Sequence, residues 1–230
     1  MNRILFLDNS IDGDVYQPRP YWEPLLLFPY DLFRVSDGKW PDGLDSYSHI
    51  LITGSSASVL DDTEWMKAEA ELIKHAVNEG KVILGSCFGH QMLARSLVGM
   101  DAVRRREKPE IGWPDIHILA SDSLLGEAGR TINGFVFHFD EVCKVPEKNA
   151  TVIARSSECD ILAFKLKDRP VWGIQPHFEM GIVEGLQLID RVPGDEIPDK
   201  QIFLNSTENQ PRDSGWIIPL MKTFQDTQPV

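Results

Sequence analysis

Cysteine is scarce and odd in number: Cys87, Cys143 and Cys159 are the whole complement of 230 residues. A secreted scaffold built on paired disulfides is therefore a poor fit, and a reducing compartment is expected. Positive charge is also in short supply. With 23 lysines and arginines against 35 aspartates and glutamates the net charge is -12, which repels phosphate backbones and anionic lipid, so neither nucleic acid nor membrane is an expected partner. No apolar run approaches the ~20 residues that span a bilayer. Met1 to Asp8 lacks the basic start, long apolar stretch and small-residue cleavage site of a signal peptide. Cytoplasm is the expected location. Internal repeats and low-complexity tracts are absent as well.

What is present is enough apolar residue, 42%, for one substantial core. Arg3-Ile-Leu-Phe-Leu-Asp8, His49-Ile-Leu-Ile-Thr53 and Lys81-Val-Ile-Leu-Gly85 read as buried strands, each emptying into a loop of small or polar residues. Phe33 to Val35 is a further candidate strand. Between Pro18 and Pro29, four prolines interrupt a run rich in Tyr21, Trp22 and Phe28, leaving room for at most a short helix over Glu23 to Phe28. After the small-residue loop Gly54 to Val59, a helix is expected, with Asp61 and Glu64 as a capping pair, Trp65, Leu72, Ile73, Ala76 and Val77 on one face, and Gly80 at the C-terminal cap. A second helix is expected over Phe88 to Leu97.

This alternation predicts an α/β fold with a mostly parallel sheet covered by helices on both faces. Beyond Gly99, strand-like segments at Asp115 to Leu119, Phe135 to Phe139, Thr151 to Ala154, Ile161 to Lys165 and Val171 to Gln175 follow one another without a long helix, which predicts added antiparallel strands. From about Val192 the chain turns polar and proline-rich, through Pro193 to Pro198 and Asn209 to Arg212, before the apolar stretch Trp216 to Met221. The extension 191–230 is expected to pack on the domain or on a partner.

The informative segment is Gly85-Ser-Cys-Phe-Gly-His-Gln91, where an apolar strand meets a helix through a tight turn. Glycines two before and two after the cysteine give it the form of a nucleophile elbow, because bulk beside the turn is not tolerated. A helix N-terminus also favours a thiolate. Cys87 is the candidate nucleophile, whereas Cys143 and Cys159 lack such surroundings and read as packing or surface thiols. A thiol nucleophile wants a base and a group to orient it. Gln175-Pro-His-Phe-Glu179 follows an apolar strand and places His177 and Glu179 two apart, on one side of an extended segment.

Together, Gly85 to Gln91 and Gln175 to Glu179 resemble the G-x-C-x-G-x-Q and Q-x-H-x-E signatures of triad (class I) glutamine amidotransferases. Ile52 to Val59 resembles that family's oxyanion loop, in the branch similar to the amidotransferase domain of GMP synthase. The resemblance covers about Met1 to Leu188 and implies a flavodoxin-like domain, taken as residues 1–190, with the site above the C-terminal strand ends. It implies attack by Cys87 on a γ-carboxamide, proton delivery by His177, orientation by Glu179, and an oxyanion held by backbone N–H groups of Gly54, Ser55 and Phe88. Neither cofactor nor metal is implied.

By the same resemblance Gln91, His138 and Asp140 are candidate substrate contacts. Gln91 reads equally as a solvent-facing polar side chain, and His138 with Asp140 as a polar pair on an exposed strand end. Glu110-Ile-Gly-Trp113 is similar to the same branch and is expected to shape the pocket. Phe178 departs from the proline common between the histidine and the glutamate, which bears on local backbone shape rather than on the chemistry.

Three functions follow as alternatives. One is a stand-alone hydrolase of glutamine or another γ-glutamyl compound. Another is a glutaminase subunit feeding ammonia to a separate synthase, docked through the tail or through Tyr16 to Phe28. The last is a catalytically silent binding protein on the same fold.

Overall fold

The computed structural model describes residues 2–192 and 213–230; the polar, proline-rich stretches Pro193 to Pro198 and Asn209 to Arg212 lie outside the described residues. Strands β1 (Ile4–Asp8), β2 (Tyr30–Arg34), β3 (His49–Ile52) and β4 (Val82–Ser86) are followed, after a long excursion, by β11 (Val171–Ile174). These five form the parallel part of a nine-stranded sheet in the order β2-β1-β3-β4-β11. The sheet continues antiparallel through β10 (Ala163–Leu166), β9 (Ala150–Arg155), β6 (Asp115–Ile118) and β7 (Thr131–Asn133). A separate antiparallel ribbon pairs β5 (Val103–Gly112) with β8 (Val136–Val142). The expected mixture of parallel and added antiparallel strands is what is found.

Alternation along the strands decides which helices cover which face. Leu5, Leu7, Ile50, Ile52 and Ile83 point to a core shared with α2 (Glu64–Asn78) and α3 (Phe88–Val98). Ile4, Phe6, Leu51, Val82, Leu84, Trp172 and Ile174 point to the opposite core, which α1 (Arg19–Trp22) enters with Trp22 and α5 (Ile217–Asp226) with Leu220, Met221 and Phe224. Complete burial of a side chain of this size is worth ~1.5–3 kcal/mol. The late apolar stretch thus packs on that face of the sheet, beside Trp22. A third, smaller cluster gathers Tyr16, Ile111, Phe135, Met180, Leu188, Ile189 and Val192 beneath α4 (Ile182–Arg191). Among the described residues no helix is long and apolar enough to cross a membrane.

Some local expectations are corrected. The short helix sits at Arg19–Trp22 rather than over Glu23 to Phe28, with Pro20 in its first turn, where a missing N–H costs nothing; a 3-10 turn over Glu23–Leu25 follows. Strand β2 begins three residues early and stops at Arg34, because Val35 turns into a 3-10 helix. Asp61 does not cap α2. It closes a capping box with Ser58 around the 3-10 turn Val59–Asp61, and Thr63 occupies the N-cap of α2 without a side-chain bond. On α2 the inward face carries Met66, Glu69, Ala70, Ile73, Ala76 and Val77, with Trp65 and Leu72 only partly covered.

Candidate active site

Pairing of β11 beside β4 brings the two informative segments together. Ile174 lies opposite Ser86, and the Cys87 N–H donates to the Ile174 carbonyl at 2.8 Å. The turn between β4 and α3 is tight in all directions. A Cβ on Gly85 would stand 2.5 Å from the Gly89 carbonyl oxygen, and one on Gly89 would stand 2.3 Å from that of Ile52, so neither position accepts a side chain. Cys87 itself adopts φ 51°, a left-handed conformation that costs a non-glycine residue of order 1–3 kcal/mol. This strain points the thiol out of the sheet at the start of α3.

Facing it, His177 is anchored by its N–H to the Phe135 carbonyl at 2.7 Å. Its Nδ1 is 2.7 Å from Glu179 Oε1; since a carboxylate only accepts, Nδ1 carries the proton and Nε2 is left for the thiol. Burial alone would depress the imidazole. The charge on Cys87, then that of Glu179, and hydrogen bonds to both outweigh it and hold the His177 pKa well above its ordinary value. Cys87 and Glu179 together thus favour the charged form of this imidazole.

Tyr16 completes this corner, and sequence reasoning missed it as a site residue. Its hydroxyl donates to the same Glu179 Oε1 at 3.3 Å, and its ring stands edge-on to His177, with centroids 5.7 Å apart. Gly54 fits against both: a Cβ there would approach His177 at 3.0 Å and the Tyr16 ring at 3.2 Å. Burial, followed by the charges of Glu179 and Cys87, pushes the Tyr16 phenol well upward, so it stays protonated as a donor. Tyr16→Phe is expected to lower kcat severalfold, to leave KM little changed, and to move the basic limb of the kcat profile upward, because a less-solvated Glu179 holds the His177 proton more tightly. An unmoved limb would reduce Tyr16 to packing.

These groups open into a cavity of about 490 Å³ lined by Tyr16, Ser55, Ser58, Asp61, Cys87, Gln91, Arg105, His138, Asp140, His177 and several apolar neighbours. A cavity of that size is ordinary for a small-molecule site. Gln91, His138 and Asp140 all line it, but two are tied into the wall. The Gln91 amide is buried and donates to the Asp140 carbonyl and to Gln175 Oε1, both at 3.0 Å. His138 bonds Glu110 through Nε2 at 3.0 Å and the Asp140 carbonyl through Nδ1 at 2.8 Å. The Asp140 carboxylate faces the cavity, accepting from Ser58 Oγ at 2.5 Å and pairing with Arg105 at 3.2 Å. Arg105 carries no mark in the sequence, because β5 has no apolar alternation around it.

Glu110, His138 and Cys159 bring ligand-type atoms within 4.8 Å of one another, and are the described group with the donors to hold a metal. Their chemistry argues otherwise. Burial pushes the Cys159 thiol up to about 12, keeping it protonated, while Glu110 already accepts from His138 and from Ser156 at 2.5 Å. Burial opposes the Glu110 charge, yet the His138 bond and charge hold its carboxyl below the ordinary value. The group buttresses Asp140 from behind.

The chain is similar to known proteins in sequence and in fold. The family model for class-I glutamine amidotransferases matches residues 28–190. Gamma-glutamyl peptidase 4 of Arabidopsis thaliana is 33% identical over 212 residues, which is 87% of this chain and 82% of the relative. Gamma-glutamyl peptidase 2 of the same plant is 33% identical over 179 residues, 76% of this chain and 71% of that one. In fold, the crystal structure of a glutamine amidotransferase from Thermotoga maritima superposes with a TM-score of 0.76 at 21% identity, covering 98% of this chain and 99% of the other.

Proposed function

Because the chain belongs to the class-I glutamine amidotransferase family, we propose that it hydrolyses the γ-amide of glutamine or of a related γ-glutamyl compound through a thioester on Cys87, with His177 as acid and base and Glu179 as its orienting group. The observation that carries this reading is the joint one: a strained elbow cysteine beside a histidine whose pKa that cysteine raises and whose Nδ1 a buried carboxylate holds. In the first half-reaction the thiolate attacks the amide carbon, the oxyanion is taken up by N–H groups of Gly54, Ser55 and Phe88, and His177 gives its proton to the departing nitrogen. The Phe88 amide opens α3, where first-turn N–H groups have no intrahelical acceptor. Water then attacks the thioester as His177 takes back a proton, releasing glutamate and restoring the thiolate.

The charged side of the cavity suits the far end of a γ-glutamyl group. Asp140 and Asp61 offer acceptors for an α-ammonium and Arg105 a donor fork for an α-carboxylate. Glutamate release from L-glutamine and a γ-glutamyl panel tests the reading, and silence on every compound would overturn it. Asp140→Asn is expected to raise KM about tenfold or more across the panel while changing kcat less. Delivery of the ammonia to a separate synthase is the finer alternative, and strong stimulation of glutamine hydrolysis by such a partner would favour it.

A further inference from the structure

The two sides of the cavity are unlike. Ser58, Asp61, Arg105 and Asp140 make one side charged, whereas Val15, Tyr16, Leu188 and Val192 make the other apolar. The apolar side is the lip of the third core cluster, and it surrounds the base: the rings of Tyr16 and Phe135 stand 5.7 and 6.2 Å from that of His177. A proton passes from His177 to the leaving nitrogen only within hydrogen-bond reach, ~2.6–3.2 Å, so the amine half of the substrate is delivered to this side. Histidines aside, Arg105 is the one cation among the described lining residues, and in the γ-glutamyl reading above it is assigned to the glutamyl α-carboxylate. A leaving amino acid would carry a second carboxylate into contact with Val15, Leu188 and Val192, whose side chains offer neither a donor nor a positive charge against its desolvation.

We propose that Val15, Tyr16, Leu188 and Val192 form a leaving-group subsite that selects γ-glutamyl amides of apolar, carboxylate-free amines over γ-glutamyl amino acids and over glutamine itself. This selectivity rests on the γ-glutamyl hydrolase reading given above. Chemically, the carbon–nitrogen bond breaks, the nitrogen leaves with the His177 proton, and water cleaves the thioester, so each amide and one water give one glutamate and one amine. Ammonia leaves the apolar side unfilled. A branched or aromatic amine fills it and excludes water from it, which is expected to raise kcat/KM about tenfold or more.

The test compares kcat/KM for L-glutamine, γ-glutamyl-leucine and γ-glutamyl-3-methylbutylamide, the last being the leucine compound without its carboxylate. The amide is expected to exceed γ-glutamyl-leucine at least tenfold, and Leu188→Arg to reverse much of that ratio by supplying a counter-charge, with Val192→Lys as the second variant should the first not fold. Glutamate release from both compounds at equal kcat/KM in the wild-type protein would overturn the subsite while leaving the hydrolase reading intact. No release from any of the three would overturn both.

Discussion

Cys87→Ala is expected to abolish measurable turnover, with kcat on γ-glutamyl substrates down on the order of 10⁴-fold or more, because loss of a covalent nucleophile leaves only the oxyanion donors and binding to act on water. The fold should survive. Only one sulfur is removed, which contacts the Phe137 carbonyl at 3.9 Å and His177, and the backbone bonds of the elbow to Ile174 and Thr53 do not involve it. A second readout separates loss of chemistry from loss of structure. Burial depresses His177, and the leading contribution against it is the charge on Cys87. Deleting that charge should therefore lower the imidazole pKa, visible as an earlier proton NMR titration of His177. Turnover within tenfold of wild type would show that Cys87 is not the nucleophile.

The largest stability effect is expected from a residue with no part in the chemistry. Glu69 on α2 is fully buried, and neither carboxylate oxygen has a geometrically complete hydrogen bond. The amide of Asn9, also lacking complete bonds, and the charge of Arg95 pull its pKa down, but burial dominates and pushes it from 4.5 to about 8. Below about pH 4.5 the folded and unfolded chains hold the same proton and Glu69 costs nothing in pH-dependent terms. Between 4.5 and about 8 the unfolded chain gives the proton up and the folded chain keeps it, so stability falls as pH rises and levels off above that window. Glu69→Gln removes the ionisation. It should raise stability by roughly 2 to 4 kcal/mol at pH 9, or roughly 5 to 15 °C in Tm, and the gain should fade towards pH 4.5. A gain independent of pH, measured by thermal melts across pH 4.5 to 9, would sink the assignment.

Legibility in the sequence followed the range of the interactions. The parallel strands β1, β3, β4 and β11 were readable because each is a short apolar run buried on both faces, and the elbow because its glycines and cysteine act within five residues. His177 and Glu179 were readable for the same reason, since their bond spans two residues. Tyr16 was not: it lies in a proline-broken segment without periodicity, and the carboxylate it reaches is 163 positions away. Arg105 sits in Val103–Gly112, a largely polar strand of the separate ribbon whose exposed middle shows no alternation, so nothing local marks it. Helix α4, which brings Leu188 and Val192 to the cavity, is masked by the louder motif before it. Glu69 has the look of a solvent-facing helix residue, and only the approach of β1 and α3 makes it a buried acid.

Strand β11 enters the sheet next to β4, although about 90 residues separate Cys87 from His177. At the ~5–20 residues per second of translation, the thiol leaves the ribosome roughly 5 to 18 seconds ahead of the imidazole. A nascent chain therefore carries Cys87 without His177, and with the β11 register unfilled the two are not yet brought together. The two motifs meet only when the last parallel strand docks beside β4, a non-local step.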